Sequence, residues 1–171
     1  IKYVIYALLS IYKPNEIGLS IVHGKLNKKY INDLFKDLKN IKLIEYDLDN
    51  VNRGIYSAIL KTPEFYENFL NWSHLLIYQT DALLLRKIDD VYFKYDYIGA
   101  PWPIVKDSYI DPFGNHHQVG NGGFSLRSKT LLEVPTKVDV PWETNNSDFY
   151  RMPPGVVNYH EDGNICVHNR H

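Results

Sequence analysis

The sequence predicts an α/β fold with a mainly parallel central sheet and helices on both faces. Three observations lead there. Strand-like and helix-like stretches alternate three times up to Tyr78, the signature of βαβ units. The run Leu75-Leu76-Ile77-Tyr78 is apolar without a break, as a buried strand of a parallel sheet would be. It then delivers one polar triplet, Gln79-Thr80-Asp81, and in such sheets ligands collect at the carboxyl ends of the strands. A length of 171 residues fits one domain spanning 1–171.

Taken in order, Ile1, Val4, Ile5, Leu8, Leu9 and Tyr12 recur at helical spacing, and Lys13-Pro14-Asn15 ends that helix. Leu19 to Gly24 is a β-branched run closed by glycine, hence a strand. Asn27 is expected to cap a helix carrying Tyr30, Ile31, Leu34, Phe35 and Leu38 on one face. Ile41 to Tyr46 is the next strand, and Asp47 to Asn52 a polar loop. Gly54 to Leu60 reads as helix, and Pro63 starts another behind Thr62, with Phe65, Tyr66, Phe69 and Leu70 on one side. After Asp81, Leu83 to Arg86 reads as a short strand and Ile88 to Phe93 as a helical turn. Asp96 to Pro103 is a strand that leaves the sheet at Trp102. Residues 106–118 form a long irregular loop, and Gly120-Asn121-Gly122-Gly123 a tight glycine turn. Phe124 to Arg127 is a strand, Ser128 to Val134 a helix, and 135–155 irregular.

Composition narrows the function classes. A chain that is 44% hydrophobic and 14% aromatic buries a sizeable core, and its 14 Tyr imply many half-buried hydroxyls with polar partners. A net charge of −1 with no basic block argues against nucleic acid as a partner. The single Cys166 excludes an internal disulfide and a cysteine zinc site, and it reads as a small buried residue. No apolar run approaches the ~20 residues of a membrane helix, and no signal peptide is visible, so the default expectation is a cytoplasmic protein.

Several residues could carry chemistry. Asp81, just beyond a core strand, either holds a metal ion or ligand hydroxyl or caps the next turn. The glycine turn lets backbone approach a ligand closely, and Asn121 offers an amide that both donates and accepts, as sugar hydroxyls require. The competing reading is a bulged hairpin with glycines for steric reasons. It meets neither the Walker nor the dinucleotide pattern. Glu161-Asp162 reads first as solvated surface, or else as a general base poised by a neighbouring carboxylate. His116-His117 lies in a loop, and His168 with His171 has metal-ligand spacing, although a polar chain end accounts for both. Trp102 and Trp142 stand beside prolines, as sugar-stacking platforms or as core anchors.

These motifs, in this order, carry a resemblance. Tyr78-Gln79-Thr80-Asp81, Tyr95-Asp96-Tyr97-Ile98-Gly99-Ala100-Pro101-Trp102, Val119 to Arg127 and Glu161-Asp162 are similar to the ordered motifs of a family of glycosyltransferase-like domains of unassigned function. That family resembles the GT-A class of nucleotide-sugar transferases. Ile21 to Gly24, Ser57, Leu60 and Phe65 also fit, so the resemblance spans nearly the whole chain. It implies a Rossmann-like GT-A domain that moves a sugar from a nucleotide-sugar donor, a UDP-sugar first, to a carbohydrate, protein or lipid acceptor, with inversion. Gln79-Thr80-Asp81 falls where such enzymes keep an Asp-x-Asp metal motif, so Asp81 is the implied ligand of Mn²⁺ or Mg²⁺, with Gln79 and Thr80 at the donor. The resemblance also has Asn52 and Arg53 facing the nucleotide. Asn121, Gly122, Gly123 and Trp102 would line the sugar, and Asp162, with Glu161 second, would be the catalytic base. Relatives of this type have a further strand before the first helix and a Pro-, Gly- and His-containing segment after the acidic pair. The chain is therefore expected to be truncated at both ends. The alternatives are a non-catalytic sugar or nucleotide-sugar binding domain, suggested by the missing first Asp, a nucleotidyltransferase, or an interaction module. Lys25, Lys28 and Lys29 are too ordinary to argue for triphosphate chemistry.

Overall fold

The computed structural model describes residues 1–104, 116, 118, 120–138, 161–163, 165 and 166; at Arg53 this covers the backbone. Expectations for residues 106–115, 117 and 139–155, and for Trp142, His117, His168 and His171, lie outside the described residues. The fold is mixed α/β, with one two-stranded parallel sheet and one three-stranded antiparallel sheet. The chain divides into two units, Ile1–Ile55 with Thr80–Ile88, and Tyr56–Gln79 with Asp89–His171.

The first unit is built as its sequence pattern requires. Helix α1 (Lys2–Ile11) buries Ile5 and Leu8, and Tyr12 turns extended just before Pro14. Strand β1 (Leu19–His23) pairs in parallel with β2 (Ile41–Glu45), from Leu19 opposite Ile41 to His23 opposite Glu45. A parallel pair needs a crossover, and α2 (Lys28–Phe35) supplies it. Ile5, Ile21, Ile31 and Phe35 form the core, with Leu9, Leu19, Leu34, Leu38 and Ile41 packed against it. Asn27 does not cap α2 through its side chain. A 3₁₀ turn over Lys25–Asn27 leads straight into the helix, so Asn27 already has helical dihedrals and its Nδ2 donates to Asn50 Oδ1 at 3.3 Å. The loop after β2 crosses Gly24, where a Cβ would lie 2.8 Å from the carbonyl oxygens of Leu48 and Asp49.

Residues 83–86 form no strand. Leu83 and Leu85 are exposed, and the segment is instead tied down at its end. Tyr12 Oη accepts from Ile88 N at 2.8 Å, and Lys87 Nζ donates to Glu16 Oε1 at 2.5 Å.

The second unit departs from the expected topology. Helix α3 (Arg53–Ile59) brings the chain into it, and α4 (Pro63–Glu67) follows. Strand β3 (His74–Tyr78) is the apolar run, but its partner is antiparallel. It pairs with β5 (Asn121–Ser128), which also pairs antiparallel with β4 (Tyr97–Ala100), so β5 is central. The mainly parallel sheet is thus limited, among the described strands, to β1 and β2. Apolar continuity reports burial and not strand direction, and within β3 only Ile77 is fully buried.

The glycines are not a tight turn. Asn121, Gly122 and Gly123 open β5, and Gly120 before them has a φ of +137°, a conformation that favours glycine. Ser128 ends the strand and caps α5 (Lys129–Lys137), its Oγ accepting from Leu131 N at 3.2 Å. The helix runs through Pro135 rather than stopping at Val134: Pro135 has no N–H to donate, and Val138 N donating to Val134 O at 2.9 Å closes the helix beyond it. Helices α4 and α5 pack together, with Phe65, Tyr66 and Leu132 buried. Glu161–Gly163 forms a single helical turn, α6. Among the described residues no helix is long and apolar enough to cross a membrane.

Candidate functional site

The site grows from the centre of β5. Strand β5 is paired along both edges and is buried from Ser125 to Ser128, yet it carries the polar Ser125 and the charged Arg127 there. Arg127 is 0% exposed. A buried guanidinium must find acceptors or an opposite charge. Its Nε donates to Ser125 Oγ at 3.1 Å and its Nη1 to Tyr66 Oη at 2.8 Å. Tyr66 Oη in turn donates to Leu60 O at 2.7 Å, and the Tyr97 ring lies 5.5 Å from the guanidinium carbon. The remaining nitrogen, Nη2, sits 3.7 Å from Glu161 Oε1: an ion pair too long for a hydrogen bond.

Glu161 is 3% exposed, which excludes the solvated-surface reading for it. Ser57 Oγ, from α3, donates to its Oε2 at 3.2 Å. Burial and the adjacent Asp162 push the Glu161 carboxyl above the usual carboxylate range, against the opposing pull of Arg127 and Ser57. For Arg127, burial disfavours the charge, but Tyr66, Tyr97 and Glu161 more than offset it, so it stays charged. Burial raises the Tyr56, Tyr66 and Tyr97 hydroxyls and pushes the half-buried Cys166 thiol up to about 12, so none of these is a ready nucleophile or base.

Asp162 is half-buried and points elsewhere. Its Oδ2 accepts from Gly122 N at 3.1 Å and its Oδ1 from Gly163 N at 2.7 Å. Gly122 therefore touches both acids. A Cβ on it would fall on Glu161 Oε1, far inside contact distance, and 3.3 Å from Arg127 Nη2. Gly122→Ala is expected to cost about 1–3 kcal/mol, the usual penalty for overpacking, and to displace the acidic turn. Urea unfolding checks the first effect. An unchanged midpoint would show that the turn does not sit on β5.

Gln79 continues β3 onto this rim, its N donating to Gly123 O at 3.0 Å. A Cβ on Gly123 would lie 2.6 Å from Gln79 Oε1. Asn121 is exposed, and its Oδ1 accepts from Gly123 N at 3.1 Å. Trp102 packs its six-membered ring over Gly120, where a Cβ would lie 2.7 Å from Cη2. It is half-buried, with its backbone N donating to Gln118 O at 2.6 Å.

Glu161, Asp162, Gln79, Asn121, Gly122, Gly123 and Trp102 thus belong to the second unit. Asn52, Arg53, Thr80 and Asp81 belong to the first. Thr80 and Asp81 form an exposed turn, Asn52 Oδ1 accepts from Ile55 N at 3.0 Å, and Arg53 opens α3. His116 is exposed. Among the described residues no three His, Cys, Asp or Glu side chains gather where they could hold a metal ion. Arg127, Ser125, Tyr56 and Tyr66 were not singled out from sequence. The available signal was an Arg flanked by Leu126 and Ser128 inside a strand pattern, where a charge is out of place.

No curated protein and no solved structure matches the chain. Residues 40–162 match a family model described as a protein of unknown function, DUF5672. That span holds Asp81, all of β5 and the Glu161-Asp162 pair, and it covers well over half of the sequence. The chain belongs to the DUF5672 family.

Proposed function

We propose that this protein is a GT-A-like glycosyltransferase that moves a sugar from a nucleotide donor, a UDP-sugar first, to an acceptor hydroxyl with inversion. The observation that carries this reading is the Asp162 carboxylate, fixed by the Gly122 and Gly163 amides at the glycine-lined start of β5. A base must be held still and within reach of the proton it takes. Each carboxylate oxygen has two lone pairs, so one amide bond apiece leaves room for an acceptor O–H. The acceptor oxygen attacks the anomeric carbon and its proton passes to Asp162. The bond from that carbon to the diphosphate breaks, and the nucleoside diphosphate leaves. Asn121, beside Gly122, and Trp102, over Gly120, supply an amide and an aromatic ring of the kind that sugars use.

Asp81 is the residue that would hold Mn²⁺ or Mg²⁺. A lone exposed carboxylate suits an ion that takes its other ligands from donor phosphates and water. When bound, the ion offsets charge on the departing diphosphate. The test is calorimetry with UDP, GDP and CDP, each with and without Mn²⁺, on the wild type and Asp81→Ala. Metal-dependent UDP binding is expected, weakened about tenfold or more by the substitution, as for the loss of one charged contact. No nucleotide binding under either condition would sink the transferase reading.

The two amide bonds on Asp162 also favour a second reading. A carboxylate held on both oxygens can orient a bound sugar without taking a proton, as in a non-catalytic sugar or nucleotide-sugar binding domain. Nucleotide or sugar binding without turnover, over a panel of acceptors, would select it.

A further inference from the structure

We propose that Arg127 and Glu161 are positioning residues: their buried ion pair holds the acidic turn on β5, so that Asp162, and not Glu161, meets the reacting atoms. The inference rests on the proposed role of Asp162, and it gives Glu161 a different task from that of a second base.

Four observations lead to it. Glu161 is shut away from solvent, with one carboxylate oxygen on Ser57 and the other facing Arg127, so an acceptor cannot reach it. Arg127 is itself immobilised by Ser125, Tyr66 and the Tyr97 ring, on β5, α4 and β4. The turn is three residues long, and so short a helix has no stability of its own. Finally, a buried ion pair is a poor source of net stability, since desolvation offsets most of the attraction. A contact that contributes little to stability, yet fixes one residue of a turn whose next residue is the half-buried Asp162, acts on geometry.

The Gly122 amide reports on that geometry, because its N–H donates to Asp162. The measurement is its proton shift through an acid titration of the full nitrogen-15-labelled chain. The titratable groups facing the pair are Asp162, Tyr56 from α3, Tyr66 from α4, Tyr97 from β4, and Cys166. The three phenols and the thiol are pushed up by burial, so movement in the acid range belongs to the carboxylates. In Glu161→Gln the Gly122 amide is expected to keep less than half of its wild-type shift, while the Ser125 and Leu126 amides stay in place. Arg127→Lys, which retains the charge, is expected to keep more than half. A full wild-type shift in Glu161→Gln overturns the proposal. Should that variant not fold, Ser57→Ala removes only the hydroxyl on Glu161: a reduced shift supports the tether, and an unchanged one overturns it. Failure of the transferase reading registers instead as absent nucleotide binding and leaves this titration untouched.

Discussion

Replacing Arg127 with methionine is expected to lower folding stability by about 3–5 kcal/mol, the cost of leaving a buried charge without its partner. Methionine fills the path of the side chain as far as Nε, so the space left empty is that of the guanidinium end. What is lost is the charge facing Glu161, the donors to Ser125 and Tyr66, and the contact with the Tyr97 ring. In thermal unfolding this corresponds to a fall in Tm of about 10 °C for a chain of this size. The loss also depends on pH, and its sign follows from Glu161. The carboxyl is already raised in the folded protein by burial and by Asp162, and removing Arg127 raises it further. A carboxyl raised on folding contributes stability that is present below its unfolded value, near 4.5, and is lost as pH rises through the folded value. The variant should therefore approach the wild type in acid and fall away from it toward neutrality. Adding Glu161→Gln should recover most of the neutral-pH loss, because the stranded charge is then gone. A loss below about 1 kcal/mol, typical of an exposed pair, would show that water reaches the site.

The parts of this fold legible in the sequence are those fixed by local periodicity. The stripe from Ile31 to Phe35 became the buried face of α2, and the β-branched run from Leu19 became β1, because spacing alone decides which face is apolar. Partnership was not legible. The run from Leu75 is a strand, but whether its neighbour runs parallel or antiparallel depends on residues far along the chain. The glycines were visible but not their reason. Nothing near Gly122 in sequence announces that a carboxylate from residue 161 occupies the place of its side chain. Likewise Arg127 looked like the end of a short strand, and it is buried among Tyr66, Tyr97 and Glu161, all far from it in sequence. Glu161 alone resembles a surface charge. It becomes a buried one because Arg127 is there to receive it. Candidate residues could thus be chosen by type, whereas their division into a buried carboxylate, Glu161, and a half-buried one, Asp162, required the three-dimensional contacts.

Asp162→Asn is the substitution that separates transfer from binding. In the proposed mechanism Asp162 is the proton acceptor, a role worth a factor of about 10²–10⁴ in rate, so that reading expects turnover to fall by that much. The variant keeps the shape of the side chain but replaces one oxygen with an NH₂ donor. That donor cannot accept from Gly122 or Gly163, so one of the two amide bonds is lost, at a cost of about 1 kcal/mol in stability. Two readouts are needed together. Release of UDP from a panel of UDP-sugars with sugar acceptors measures the reaction, and calorimetry with UDP and Mn²⁺ measures donor binding. The expected result is a loss of turnover with donor binding retained, since the role proposed for Asp162 is on the acceptor hydroxyl and not on the nucleotide. Loss of both would mean that the acidic turn shapes the donor pocket. Unchanged turnover would remove Asp162 as the base, and Glu161, buried between Ser57 and Arg127, could not replace it. The base would then have to be sought elsewhere in the chain.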